Sequence, residues 1–120
     1  MTPGKRTLGP ASCVVEASSI VRRALRDGLR EVSFIHVPAE YRGQGHGRAL
    51  LDMLTLEADE DGTTLFVNVD PYDDGPLDRD ALKAWYARFG FTEFQSEPLL
   101  MARVPMRIAS DLRRRVVVAH

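Results

Sequence analysis

Glu31-Val32-Ser33-Phe34-Ile35-His36-Val37-Pro38-Ala39-Glu40-Tyr41-Arg42-Gly43-Gln44-Gly45-His46-Gly47-Arg48-Ala49-Leu50-Leu51 is the stretch on which the reading of the fold turns. Glu31 to Val37 is apolar and β-branched enough for a buried strand, and Pro38, which lacks an N–H for the ladder, stops it. A glycine-rich turn follows. Behind it Ala49, Leu50, Met53, Leu54 and Leu56 to Ala58 recur at helical spacing until Asp61-Gly62 ends the run. A helix opening on glycines offers unpaired N–H groups and the positive end of a dipole, which suits an anion such as a pyrophosphate. Glycines let backbone approach phosphate without a Cβ in the way. Arg42 and Arg48 bracket the loop and can neutralise charge. The pattern differs from the G-x-G-x-x-G dinucleotide fingerprint, and no Gly-Lys-Ser/Thr ending follows. A tight turn alone would explain the glycines but not the arginine ahead of them.

Outward from this stretch, Thr63 to Val69 reads as a second buried strand, and Asp70 to Pro76 as a turn-rich loop. Asp78 caps a helix running through Arg88, with Leu82, Trp85, Tyr86 and Phe89 on its inner side and Gly90 closing it. Phe91 to Phe94 and Leu99 to Val104 are two further strands, expected to be antiparallel. Toward the N-terminus, Ser12 to Ala17 suits a short strand. Ser18 or Ser19 can cap a helix carrying Ile20, Val21, Ala24 and Leu25 on one stripe, closed by Gly28. Residues 1–11 read as a loose arm, and 105–120 as a tail whose only structural hint is Val116-Val117-Val118. This order predicts one α/β domain over 1–120 with a mixed sheet.

Composition narrows the function. Sixteen basic against seventeen acidic residues disfavour a general nucleic-acid binder, and Arg113 to Arg115 read as a solvated tail. With one cysteine, Cys13, no intrachain disulfide can form. No apolar run approaches spanning length and no signal-like segment opens the chain, so a soluble cytoplasmic protein without membrane association is expected.

Arg42-x-x-Gly45-x-Gly47 resembles the Q/R-x-x-G-x-G/A signature of the GNAT acetyltransferases, placed as in that superfamily between a strand and a long helix. Leu82-Lys83-Ala84-Trp85-Tyr86-Ala87-Arg88-Phe89-Gly90-Phe91 is similar to its L-x-x-x-Y-x-x-x-G-F segment. The resemblance implies a mostly antiparallel mixed sheet whose central strand pair splays apart, with helices on its flanks. It implies acetyl-CoA as donor, an amine as acceptor, and no metal. Backbone N–H groups around Arg42, Gly43, Gln44, Gly45, His46, Gly47 and Arg48 would hold the pyrophosphate. Ile35, His36 and Val37 would line the pantetheine arm and the thioester. Tyr86 falls where the family places the acid that protonates the leaving thiolate, though it also reads as a plain core aromatic. Glu31 stands where one branch carries its general base, though it also reads as a solvated strand end. His36 is the alternative base. Strict strand alternation would point Glu31 and His36 to opposite faces. Asn68 receives no role, and His46 is expected to cover phosphate.

The family usually places more elements before the splayed strand than residues 1–30 can supply, as in the compact members resembling phage and prophage acetyltransferases. The acceptor wall is therefore expected to be incomplete, and a non-catalytic acetyl-CoA-binding module is the alternative to an active enzyme. Asp70, Asp73, Asp74, Asp78 and Asp80 would favour a cationic acceptor, or simply solvate and cap. One short strand at Ser12 to Ala17 would leave the splayed strand Glu31 to Val37 with little cover on its N-terminal side. Val116 to Val118 of a second copy could reach it, so a homodimer is expected.

Overall fold

The structure is a computed structural model that describes residues 1–17, 28–70 and 77–106. Strands β1 (Gly4–Leu8), β2 (Ala11–Ala17), β3 (Leu29–His36), β4 (Thr64–Asn68), β5 (Thr92–Ser96) and β6 (Leu99–Arg103) form one sheet in the order β1-β2-β3-β4-β6-β5. Helix α1 (His46–Asp61) follows β3, and α2 (Arg79–Ala87) follows β4. Every neighbouring pair is antiparallel except β3 and β4. The expected mixed, mostly antiparallel α/β sheet is therefore present.

The core lies between the sheet and α1. Ala11, Cys13 and Val15 alternate along β2 and are buried, while Leu50, Leu51, Leu54 and Ala58 form the matching stripe of α1. Leu65 and Val67 of β4, Met101 of β6, and Tyr86 and Phe91 complete the same cluster. Burial also pushes the Cys13 thiol up to about 11, which makes it an inert core group rather than a nucleophile.

Three expectations change. Residues 1–11 are not a loose arm, because Gly4–Leu8 pairs with β2 around a turn at Gly9, whose φ is 56°. Arg6 holds this outer strand by donating to Glu57 of α1 at 3.0 and 3.4 Å and to the carbonyls of Thr2 and Gly4. The strand is mostly exposed and rests on backbone pairing and one ion pair, so it carries no apolar period to read. Helix α1 begins earlier than its apolar stripe, at His46 inside the glycine motif. Finally, β3 is not open on its N-terminal side, because β2 pairs along it from Arg30 to His36. The strand expected to have little cover is thus paired along its length, and the tail expected to reach it lies outside the described residues. The expected helix after Ser18 or Ser19, most of the acidic loop and Val116 to Val118 lie outside the described residues.

One long-range tie was not foreseen. Arg103 of β6, 7% exposed, makes a two-pronged ion pair with Asp59 of α1 at 2.8 and 3.0 Å and donates to the Phe89 carbonyl at 2.6 Å. It joins β6, α1 and the residues just after α2.

Candidate active site

β3 and β4 pair through only three positions, ending at Glu31 opposite Phe66, while β3 runs on to His36. Beyond Glu31 the two strands diverge, β4 keeping β6 on its other side. The gap opens into a cleft of about 770 Å³. Glu31, Ile35, His36, Val37, Arg42, Gly43, Gly45, His46, Gly47, Arg48 and Tyr86 all line it. The tertiary fold thus gathers every expected site residue except Gln44, whose side chain donates to the Glu40 carbonyl at 3.3 Å.

A bulge in β3 alters the geometry of the strand that faces this gap. Ser12 pairs with His36 and Val14 with Ser33, so β3 spends one residue more than β2 over that interval. Phe34 sits there with φ 57°. An inserted residue resets the alternation of sides. Val32 is buried in the core, and Ile35 and Val37 pack on that same cluster after the bulge. Glu31, Ser33 and His36 therefore share the opposite side. Strict alternation put Glu31 and His36 on different faces, and the bulge overturns that.

The loop beyond β3 is held by local bonds. The Tyr41 N–H donates to the Pro38 carbonyl at 2.9 Å, and Arg42 Nε donates to the Val37 carbonyl at 2.9 Å. Arg42 thus braces the loop against the end of β3, in addition to its charge. Gly43 and Gly45 have φ of 75° and 84°, and a Cβ on either would point into open space. They are needed for their backbone angles, and they leave the wall of the cleft bare. The first bond of α1 runs from the Ala49 N–H to the Gly45 carbonyl at 3.0 Å. The N–H groups of His46, Gly47 and Arg48 precede that first bonded turn, as at any helix start. Gly47 is placed differently, against α2 rather than open space. A Cβ there would meet Trp85 and Val37 at 3.6 Å, an ordinary contact, so the loop packs on α2 at this point. The His46 ring stands edge-on to Tyr41 with centroids 6.0 Å apart.

Tyr86 is 6% exposed, and its ring meets Trp85 and Phe91 with centroids 5.2 and 5.5 Å apart. Tyr86 belongs to the core cluster and also lines the cleft. Asp78 accepts from the Ala81 N–H at 2.8 Å and caps α2, the helix that carries Tyr86. Phe34, Tyr41, Asn68, Asp70, Leu77 and Trp85 line the cleft as well. Trp85 was foreseen as an inner-face residue of its helix. Asp70 was named with the acidic loop, and Asn68 was given no role. Phe34, Tyr41 and Leu77 had no signal, because an exposed apolar or aromatic residue in a loop or strand end looks like any other. Among the described residues no group of three His, Cys, Asp or Glu is placed to hold a metal, and no helix is long and apolar enough to cross a membrane.

Residues 11–93 match the family model described as the acetyltransferase (GNAT) domain, which spans both glycine loop and Tyr86. No curated protein sequence matches the chain significantly. Among solved structures, the anti-CRISPR protein AcrVA5 is similar at TM-score 0.65 and 19% identity, over 85% of this chain and 98% of that one. The ribosomal-protein-S18-alanine N-acetyltransferase of Escherichia coli is similar at TM-score 0.58 and 23% identity, over 81% of this chain and 63% of its own. N-acetylglutamate synthase of Neisseria gonorrhoeae, solved with coenzyme A and L-arginine, is similar at TM-score 0.54 and 14% identity, over 81% of this chain and 22% of its own. The chain thus spans less than two thirds of both named enzymes. A family match across most of the chain, carrying both motifs on the expected elements, settles the relationship: this protein belongs to the GNAT acetyltransferase family.

Proposed function

We propose that the protein is an N-acetyltransferase that passes the acetyl group of acetyl-CoA directly to a primary amine. The observation that carries this is the split between β3 and β4, which opens one cleft joining the glycine loop to Tyr86. Acetyl-CoA supplies the activated acyl group. The chain fits it, because Gly43 and Gly45 leave open space beside the N–H groups that begin α1, with Arg42 and Arg48 alongside. Ile35, His36 and Val37 end the strand that would face the pantetheine arm. Glu31 takes a proton from the acceptor, the amine lone pair forms the new C–N bond, and the C–S bond breaks. Tyr86 then gives its proton to the departing thiolate. His36, on the same side of β3 as Glu31, is the second group able to take the acceptor proton. Carboxylates of Glu31 and Asp70 on the cleft favour an amine that arrives as a cation.

Acetyl-CoA should raise the melting temperature of the parent protein by mass action. Gly47→Glu should abolish that rise while the protein stays folded. Its Cβ fits against Trp85 and Val37, but the rest of the side chain brings a carboxylate to the anion loop. A normal shift in this variant removes the pyrophosphate assignment. Transfer is then measured as release of free thiol against a panel of amines. Silence with every amine, together with a normal shift, would favour the binding module.

Glu31→Gln tests the base separately. With a base at this position, the acidic limb of the pH–rate profile should disappear and kcat should fall about 10²-fold. A profile identical to the parent's moves the role to His36 or to water.

A further inference from the structure

We propose that Phe34 determines acceptor specificity, its ring forming the wall of the cleft against which a primary ammonium on an aliphatic stem is aligned. The proposal rests on the acetyl-transfer reading above and names the acceptor class for that site. Among the described residues Phe34 is the only one other than glycine with positive φ. A bulky L-residue in this region is disfavoured, and glycine or asparagine would hold the same bulge with less strain. The usual compensation would be burial of the ring, yet Phe34 is 68% exposed. Neither the backbone nor the core accounts for a phenyl group here. Phe34 lines the cleft, one residue before Ile35 and three after Glu31 in the diverging part of β3.

The neighbours define what such a ring can recognise. Tyr41, 43% exposed, and Leu77, 36% exposed, add apolar surface to the same cleft, and Glu31 and Asp70 add carboxylates. Apolar walls beside acidic groups fit a chain of methylenes that ends in a cation. The stem packs along the ring, and the ammonium meets the ring face or a carboxylate. A short polar amine gains little from the ring and is selected against.

The test uses the full chain and compares kcat/KM for Nα-acetyl-lysine amide with that for glycinamide, read as thiol release. The parent should prefer the lysine derivative. Phe34→Gly should lower that preference tenfold or more, keep the acetyl-CoA melting shift, and be at least as stable, since glycine relieves the strain at φ 57°. Phe34→Trp should keep the preference. An unchanged ratio in Phe34→Gly overturns the proposal, and so does loss of the acetyl-CoA shift, which would make Phe34 part of the donor site. A parent with neither shift nor thiol release overturns the acetyl-transfer reading itself, and this proposal with it.

Discussion

Asp59→Ala is expected to remove about 3 kcal/mol of folding stability and to lower the melting temperature by on the order of 10 °C. Arg103 is buried and makes its two-pronged contact with Asp59 across 44 positions of sequence. Removing the carboxylate leaves a buried guanidinium with its bond to the Phe89 carbonyl and no counter-charge. It also strips the Met106 N–H of its acceptor at 2.8 Å. Surface ion pairs are worth far less, and the low exposure of both side chains, 8% and 19%, puts this one in another class. The pair also gives stability an acid dependence. Burial pushes the Asp59 carboxyl up, but hydrogen bonds from Arg103 and Met106 and the guanidinium charge outweigh it and hold the group below the usual carboxylate range. A depressed folded-state value means the stabilisation is fully present above the unfolded value of about 3.9. It is lost as pH falls through the folded value. Asp59→Asn should therefore be less stable at neutral pH and show a shallower loss of stability on acidification than the parent. Chemical denaturation at a series of pH values measures both. An alanine variant within about 0.5 kcal/mol of the parent would show that the contact contributes no more than an ordinary surface substitution changes.

Tyr86→Phe is expected to lower kcat about 10²-fold while leaving acetyl-CoA affinity and the fold intact. The phenyl ring keeps the edge contacts with Trp85 and Phe91, so what is removed is the hydroxyl that would protonate the thiolate. A change that spares binding and lowers turnover is the mark of an interaction made in the transition state. Steady-state kinetics with a reactive amine, together with the melting shift, separates this from a packing defect, which would lower stability first. Equal turnover in variant and parent returns Tyr86 to the core alone. The two substitutions thus carry opposite signatures, one in stability and one in rate.

What the sequence determined by itself is local. Pro38 ends a strand because it has no N–H. Gly43 and Gly45 take left-handed angles that other residues avoid. Of the expected helix stripe Leu50, Leu54 and Ala58 are buried, although Ala49 and Leu56 face outward and Leu51 joins the buried face. Asp78 and Gly62 mark helix ends. Each of these follows from the conformational preferences of a residue and its near neighbours, so strand, loop, helix and the family resemblance were legible together. What only the tertiary structure decided depends on partners far apart in the chain. β1 exists because β2 pairs with it and Glu57 receives Arg6, not because its own residues favour a strand. The side on which His36 points depends on a single extra residue opposite β2, and no composition signal marks Phe34 as that residue. Arg103 reads as an ordinary strand-end cation until Asp59 is brought against it. The cleft itself, with Tyr86 brought to the glycine loop, is a property of where β3 parts from β4 and α2 packs. Pairing and divergence of strands are set by contacts across the whole sheet, and local preference carries no record of them.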